Sequence, residues 1–211
     1  LGFAWLARIV DILVPFYQKA ETGPAIREAG SRDGVAKNIS DNFRQTAPFV
    51  GRPVLRRDDF TRLRAYAEGF LADDRLFRQR QDEGWIRDGH GDLHSGNICL
   101  GERVWIFDCI EFNRRLRYGD VAADVAFLAM DLDYRGQEGL SARFVDAFSK
   151  RLGDPGLHAM LNFYKCYRAY VRGKIGLLTG QDREVDESIR AASLERASRY
   201  FKLAVRYAEE S

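Results

Sequence analysis

The sequence contains no apolar run approaching the ~18 residues that a helix needs to span a bilayer, and its first residues lack the basic-then-apolar form of a signal peptide. It has little cysteine: Cys99, Cys109 and Cys166 are an odd number without C-x-x-C spacing. That argues against a disulfide framework and for reduced thiols in a cytoplasmic setting. Net charge is also nearly absent. Lysine and arginine total 33 against 31 acids, so no global field points to nucleic acid or a membrane as partner. Neither G-x-G-x-x-G nor a Walker A sequence occurs, and no β-rich segment precedes Trp85. What is present is ordinary for a globular chain: 211 residues, 45% hydrophobic and 30% charged, enough for a substantial core.

Helical periodicity dominates. Leu6, Ile9, Val10, Leu13, Phe16 and Tyr17 predict a helix over 3–21, which Pro15 could kink or divide and Gly23-Pro24 ends. A second helix is expected from near Asp33 to before Pro48. A third is expected over 58–82, capped by Asp58 or Asp59. From Trp85 to Phe112 the pattern turns short, glycine-punctuated and β-like, with Ile98–Leu100 and Val104–Phe107 joined at Gly101-Glu102 as a hairpin. Helix returns at Asp120, a candidate cap for VAADVAFLAMDL, and continues over 138–152, 156–178 and 183–209. The fold class is therefore α+β and mostly helical, one domain with a small central β-hairpin.

That β segment concentrates His90, Asp92, His94, Asn97, Asp108 and Glu111. Asp92 and Asn97 lie five residues apart on a glycine-rich loop, and Asp108 follows the strand that folds back beside it. Two carboxylates and an amide oxygen around one small volume suit Mg²⁺, a hard cation that prefers oxygen ligands. Phosphoryl transfer needs that inventory: one carboxylate facing the incoming hydroxyl, another with an amide to hold metal on the phosphates. D-x-x-x-x-N followed by Asp on the next strand is the protein-kinase catalytic-loop arrangement.

HGDLHSGNI resembles the H-G-D-x-x-x-x-N loop of the aminoglycoside phosphotransferase and choline kinase superfamily. IFDCIEF is similar to its metal-binding I-D-x-E segment, and GDVAADVAFL to its G-D-x-x-x-D-x-A helix. DGHGDLH, IFDCIEFN, DVAFLAMDL and FYKCYRAYVRGK, in that order, further resemble the group described as bifunctional aminoglycoside phosphotransferase/ATP-binding proteins. The resemblance covers the chain from about Leu6 onward and implies the C-terminal, catalytic lobe of a protein kinase-like fold, spanning 1–211. It implies ATP and Mg²⁺ as cofactors and a small-molecule hydroxyl as phosphoryl acceptor. Asp92 then corresponds to the catalytic base or hydroxyl-orienting carboxylate, and Asn97 and Asp108 to the Mg²⁺ and nucleotide ligands. His90 corresponds to the histidine that buttresses the loop, and Asp124 to the buried aspartate that bonds the loop backbone. Gly91 stands where protein kinases carry an arginine, so an activation-loop switch is not expected.

Other residues carry two readings each. His94, Glu111, Arg114 and Arg115 are candidates for substrate contact; Glu111 could instead support the metal or pair with Arg114 or Arg115. Arg114, Arg115 and Arg117 could read an anionic substrate or simply pair with surface acids. Lys165, Arg168, Arg172 and Lys174 form either part of a substrate cleft or a solvated helix face. Cys99 would meet the adenine by resemblance, or be a plain buried thiol. The phosphate-covering loop and strand lysine are missing; the resemblance implies an N-terminal lobe before Leu1 and, often, a P-loop domain after Ser211 in a longer protein, with little turnover expected of this chain alone. Two other functions remain open at this stage: a non-catalytic kinase-like regulatory lobe, and a Zn²⁺ or Mn²⁺ hydrolase using H-x-D-x-H with Asp108.

Overall fold

The computed structural model describes residues 2–210; Leu1 and Ser211 lie outside them. Helix α1 (Phe3–Lys19) buries Leu6, Ile9, Val10, Leu13, Val14 and Tyr17 as its spacing requires, and Pro15 does not divide it. Gly23-Pro24 is a restart as well as a stop. Pro24 opens the short helix α2 (Pro24–Ala29), in the first turn, where its missing N–H costs nothing. Helix α3 (Arg32–Thr46) is capped by Ser31, whose hydroxyl accepts the Gly34 N–H at 3.1 Å.

The single helix expected over 58–82 is two, α4 (Arg57–Leu71) and α5 (Arg75–Asp82). Between them Asp73 accepts the Arg75 N–H at 3.0 Å, an Asx-type turn that competes with helix. Neither Asp58 nor Asp59 is the cap. Arg56 occupies that position, and Asp59 in the first turn instead takes two hydrogen bonds from the Arg56 guanidinium, at 2.7 and 2.8 Å.

Strands β2 (Ile98–Leu100) and β3 (Val104–Ile106) form the expected hairpin, with Cys99 opposite Trp105. A second antiparallel pair was not expected: β1 (Ile86–Asp88) with β4 (Tyr118–Asp120), Arg87 opposite Gly119, closing the ends of the β segment. The short helix α6 (Arg114–Arg117) leads into β4. Helices α7 (Val121–Tyr134), α8 (Glu138–Leu152), α9 (Leu157–Gln181) and α10 (Glu187–Glu209) complete the chain.

Helix α7 is the axis of the molecule, with α8 and α9 packed on it, α1 on α8 and α10 on α9. Every residue from Val121 to Asp133 is buried, as a helix apolar on all sides must be. Asp120 caps it as expected, accepting the Ala122 N–H at 2.8 Å. Asp120 also joins a buried ion triad: Arg80, 2% exposed, is held bidentately by Asp120 at 2.7 and 2.9 Å and by Asp154 from the other side. The triad ties α5, the end of β4 and the α8–α9 turn together.

Candidate active site

The loop from Gly89 to Asn97 leaves β1, follows α7 from Asp124 to Asp131 and enters β2. Gly91 within it has φ 81°. A Cβ there would come within 3.0 Å of the Leu116 carbonyl oxygen, so a side chain would be excluded by both strain and space. This is the physical reason for glycine between His90 and Asp92.

From behind, the loop is bonded to α7 at two points. The Asp124 carboxylate, 4% exposed, accepts the backbone N–H of His90 at 2.7 Å and of Gly91 at 3.0 Å, and the Tyr17 hydroxyl at 2.9 Å. This meets the expectation carried by the resemblance. Burial, with the Asp124 carboxylate beside it, pushes the Tyr17 hydroxyl well above its ordinary pKa, so it stays a donor. Seven residues on, two turns along the same helix, Asp131 accepts the Ser95 N–H at 3.0 Å and the Ser95 hydroxyl. Arg168 locks the first point: its guanidinium donates to Gly91 O at 3.0 Å, Ala123 O at 3.2 Å and Asp124 at 3.3 Å. The Asp131–Ser95 contact and the role of Arg168 escaped the sequence analysis. A signal existed, because an acid inside an apolar helix must find a partner.

On the front of the loop, the Asp92 carboxylate is 34% exposed. Asn97 donates its amide to Asp92 twice, to the carbonyl at 3.0 Å and to the carboxylate at 3.1 Å, which leaves the Asn97 amide oxygen for another ligand. His94 Nδ1 accepts the Gly96 N–H at 3.1 Å, so its Nε2 carries the proton and faces the Asp92 carboxylate at 3.4 Å. Burial works to raise the Asp92 pKa, but His94, then the Arg168 charge and the Asn97 amide outweigh it and hold the carboxyl below its usual range. His90 is structural in its contacts: Nε2 meets Phe107 O at 3.0 Å, and Nδ1 accepts the Asp92 N–H at 3.3 Å. Phe107 N also donates to Asn97 O at 3.1 Å, so the residue after it, Asp108, is set beside the loop. Asp108 is exposed and has φ 62°, the one non-glycine residue with positive φ among those described. Strain of that kind persists where the surroundings impose it, often at functional sites.

The remaining candidates divide. Cys99 is exposed, so it is not a buried thiol. Glu111 and Arg114 are exposed, and Glu111 forms no ion pair among the described residues. Its expected pairing with Arg115 is not formed, because α6 turns Arg115 onto α3, where it meets Asp41 at 3.0 Å. Arg117 pairs with Asp88 across the β1–β4 sheet, through its Nη2 at 2.9 Å. The face of Lys165, Arg168, Arg172 and Lys174 is not a solvated one. Lys165 is buried on Asp133 at 2.9 Å, Arg168 is buried behind the loop, and Lys174 donates to Asn42 at 2.7 Å. Among the described residues no three His, Cys, Asp or Glu side chains gather as a metal site. Both nitrogens of His90 are engaged as well, so the histidine-based hydrolase alternative has no ligand set here.

Residues 30–163 match the family described as the phosphotransferase enzyme family, APH. Over 173 residues, 81% of its length, the chain is 35% identical to an uncharacterized protein of Mycobacterium tuberculosis, and equally to one of Mycobacterium bovis. It spans 34%, about a third, of the length of these relatives. No solved structure matches it.

Proposed function

The chain belongs to the phosphotransferase enzyme family, and from that premise we propose that it serves ATP-dependent transfer of a γ-phosphoryl group to a hydroxyl of a small molecule. The observation that carries the reading is the two-sided build of the loop. Asp92 presents an ionised, partly exposed carboxylate to the front, while Asp124 and Arg168 hold its backbone from behind. A carboxylate fixed in this way can orient an acceptor hydroxyl and take its proton at Asp92 Oδ. His94 Nε2–H and the Asn97 amide keep that carboxylate ionised and aimed.

The donor set fits Mg²⁺: the free amide oxygen of Asn97 and the exposed carboxylate of Asp108 are hard oxygen ligands on adjoining backbone. When bound there, the metal would supply charge neutralisation on the nucleotide phosphates. A further lobe gripping the nucleotide is part of the proposal, as in the bifunctional aminoglycoside phosphotransferase/ATP-binding group. The segment around Asp108 supports it, since it exposes Trp105 at 61%, Phe107 at 50% and Phe112 at 85%, large apolar side chains of the kind that another protein surface covers.

The test pairs calorimetric titration of Mg²⁺-ATP with a turnover assay on the full-length protein. Asp92→Asn should lower turnover by about 10²–10⁴-fold while leaving nucleotide affinity unchanged, because a base acts only in the transition state. Asp108→Ala should weaken both. Near-normal turnover by Asp92→Asn would sink the assignment.

A further inference from the structure

On the side of α7 where its C-terminal turn meets α10, an open cleft of about 300 Å³ is lined by Asp133, Tyr134, Arg199, Lys202, Leu203 and Arg206. Arg199, Lys202 and Arg206 sit three and four residues apart, so α10 aims all three cations at one place. The acid within the cleft does not balance them. Asp133 is already engaged from the interior by Lys165 at 2.9 Å and by the Tyr207 hydroxyl. Arg206 reaches Glu138 at 3.4 Å and Glu210 at 3.8 Å, both more than half exposed. Among the described residues no carboxylate comes within ion-pair distance of Arg199 or Lys202.

We infer that this cleft is a binding site for a phosphate-bearing small molecule, distinct from the Asp92 loop. A phosphate group offers three acceptor oxygens and up to two negative charges. The cleft supplies the complement in charge: the Lys202 ammonium, the Arg199 guanidinium and, beside its two glutamates, the Arg206 guanidinium. Its shape argues against recognition of an aromatic base. Both faces of the Tyr134 ring are taken, one by Tyr200 stacked at 3.9 Å and the other by the Arg199 guanidinium at 4.4 Å. The ligand is therefore held by its anionic group, and the volume lies at the lower end for small-molecule pockets. The site does not depend on the phosphotransferase reading, because none of its residues belongs to the catalytic loop.

Inorganic phosphate is the probe, titrated into the full chain at fixed ionic strength and followed by backbone amide NMR shifts. Saturable shifts at Tyr134, Arg199 and Lys202 are expected. Lys202→Gln, which removes a cation with no carboxylate in ion-pair distance among the described residues, should weaken binding about tenfold, the scale of one charge-assisted hydrogen bond. Arg183→Gln, which removes an equal charge from the exposed α9–α10 turn, should leave it unchanged. The inference is overturned if wild-type shifts do not saturate or appear elsewhere, if Lys202→Gln binds as tightly as wild type, or if Arg183→Gln loses as much.

Discussion

Replacing Asp124 by asparagine tests the idea that the loop owes its shape to α7. The substitution keeps volume, so no cavity forms, but it removes the charge and turns one acceptor oxygen into a donor. Four donors converge on that carboxylate: the His90 and Gly91 N–H groups, the Tyr17 hydroxyl and the Arg168 guanidinium. An amide can satisfy only part of them, and its NH₂ must face an N–H or a guanidinium. Breaking a buried pair on one side costs about 3–5 kcal/mol, mostly from the charge left behind, here Arg168. For a chain of this size each kcal/mol moves Tm by about 2–4 °C, so the expected fall is about 6–20 °C. Tyr17→Phe removes one donor and nothing else, and should cost only about 1 kcal/mol. Urea and thermal unfolding followed by circular dichroism measure both. If Asp124→Asn lies within about 1 kcal/mol of wild type, the loop is not held by this carboxylate and the two-point attachment is wrong.

Arg80→Met should destabilise by about 3–5 kcal/mol, because Asp120 and Asp154 are then buried without their cation; denaturant midpoints would show it. Thiol labelling at pH 8 followed by mass spectrometry should modify the exposed Cys99 and Cys109 quickly and Cys166 only on unfolding, since burial pushes the Cys166 thiol up to about 12. Asp92 has a folded pKa below its unfolded one, so the stability it contributes is present above the unfolded value of ~3.9 and lost as pH falls through the lower folded value. Comparing urea midpoints of wild type and Asp92→Asn should therefore show a constant difference above about pH 5 that changes as pH falls below it.

Much of this is legible in the sequence. Periodicity located α1, α3, α7 and α8 to within a few residues because each buries a continuous apolar stripe, and Asp120 betrayed itself as a cap by preceding such a run. The hairpin was legible because its two strands are neighbours in sequence. The β1–β4 pair was not: its three-residue strands lie some thirty residues apart, and no local pattern records long-range pairing. The break between α4 and α5 hid in Asp73-Asp74, where side-chain competition with the backbone outweighs an otherwise helical composition. In the site, the loop residues announced their chemistry by type and spacing. Arg168 and Lys165 misled because at helical spacing a buried cation looks the same as a solvated one. Only the positions of Asp124 and Asp133 reveal where each is drawn.

The attachment of the loop to α7 has a consequence for how this protein tolerates change. Surface loops usually absorb variation without disturbing the interior, and interiors are repaired by compensating swaps that leave the surface alone. Here the two are one mechanical part. The helix that carries Asp124 and Asp131 is also the helix around which α8 and α9 pack, so a shift of that axis is transmitted directly to the position of Asp92. Ala126 and Ala129 are fully buried on that helix, so enlarging either would push on the axis that carries the loop. Sequence drift in the interior is thus constrained by chemistry as much as by packing.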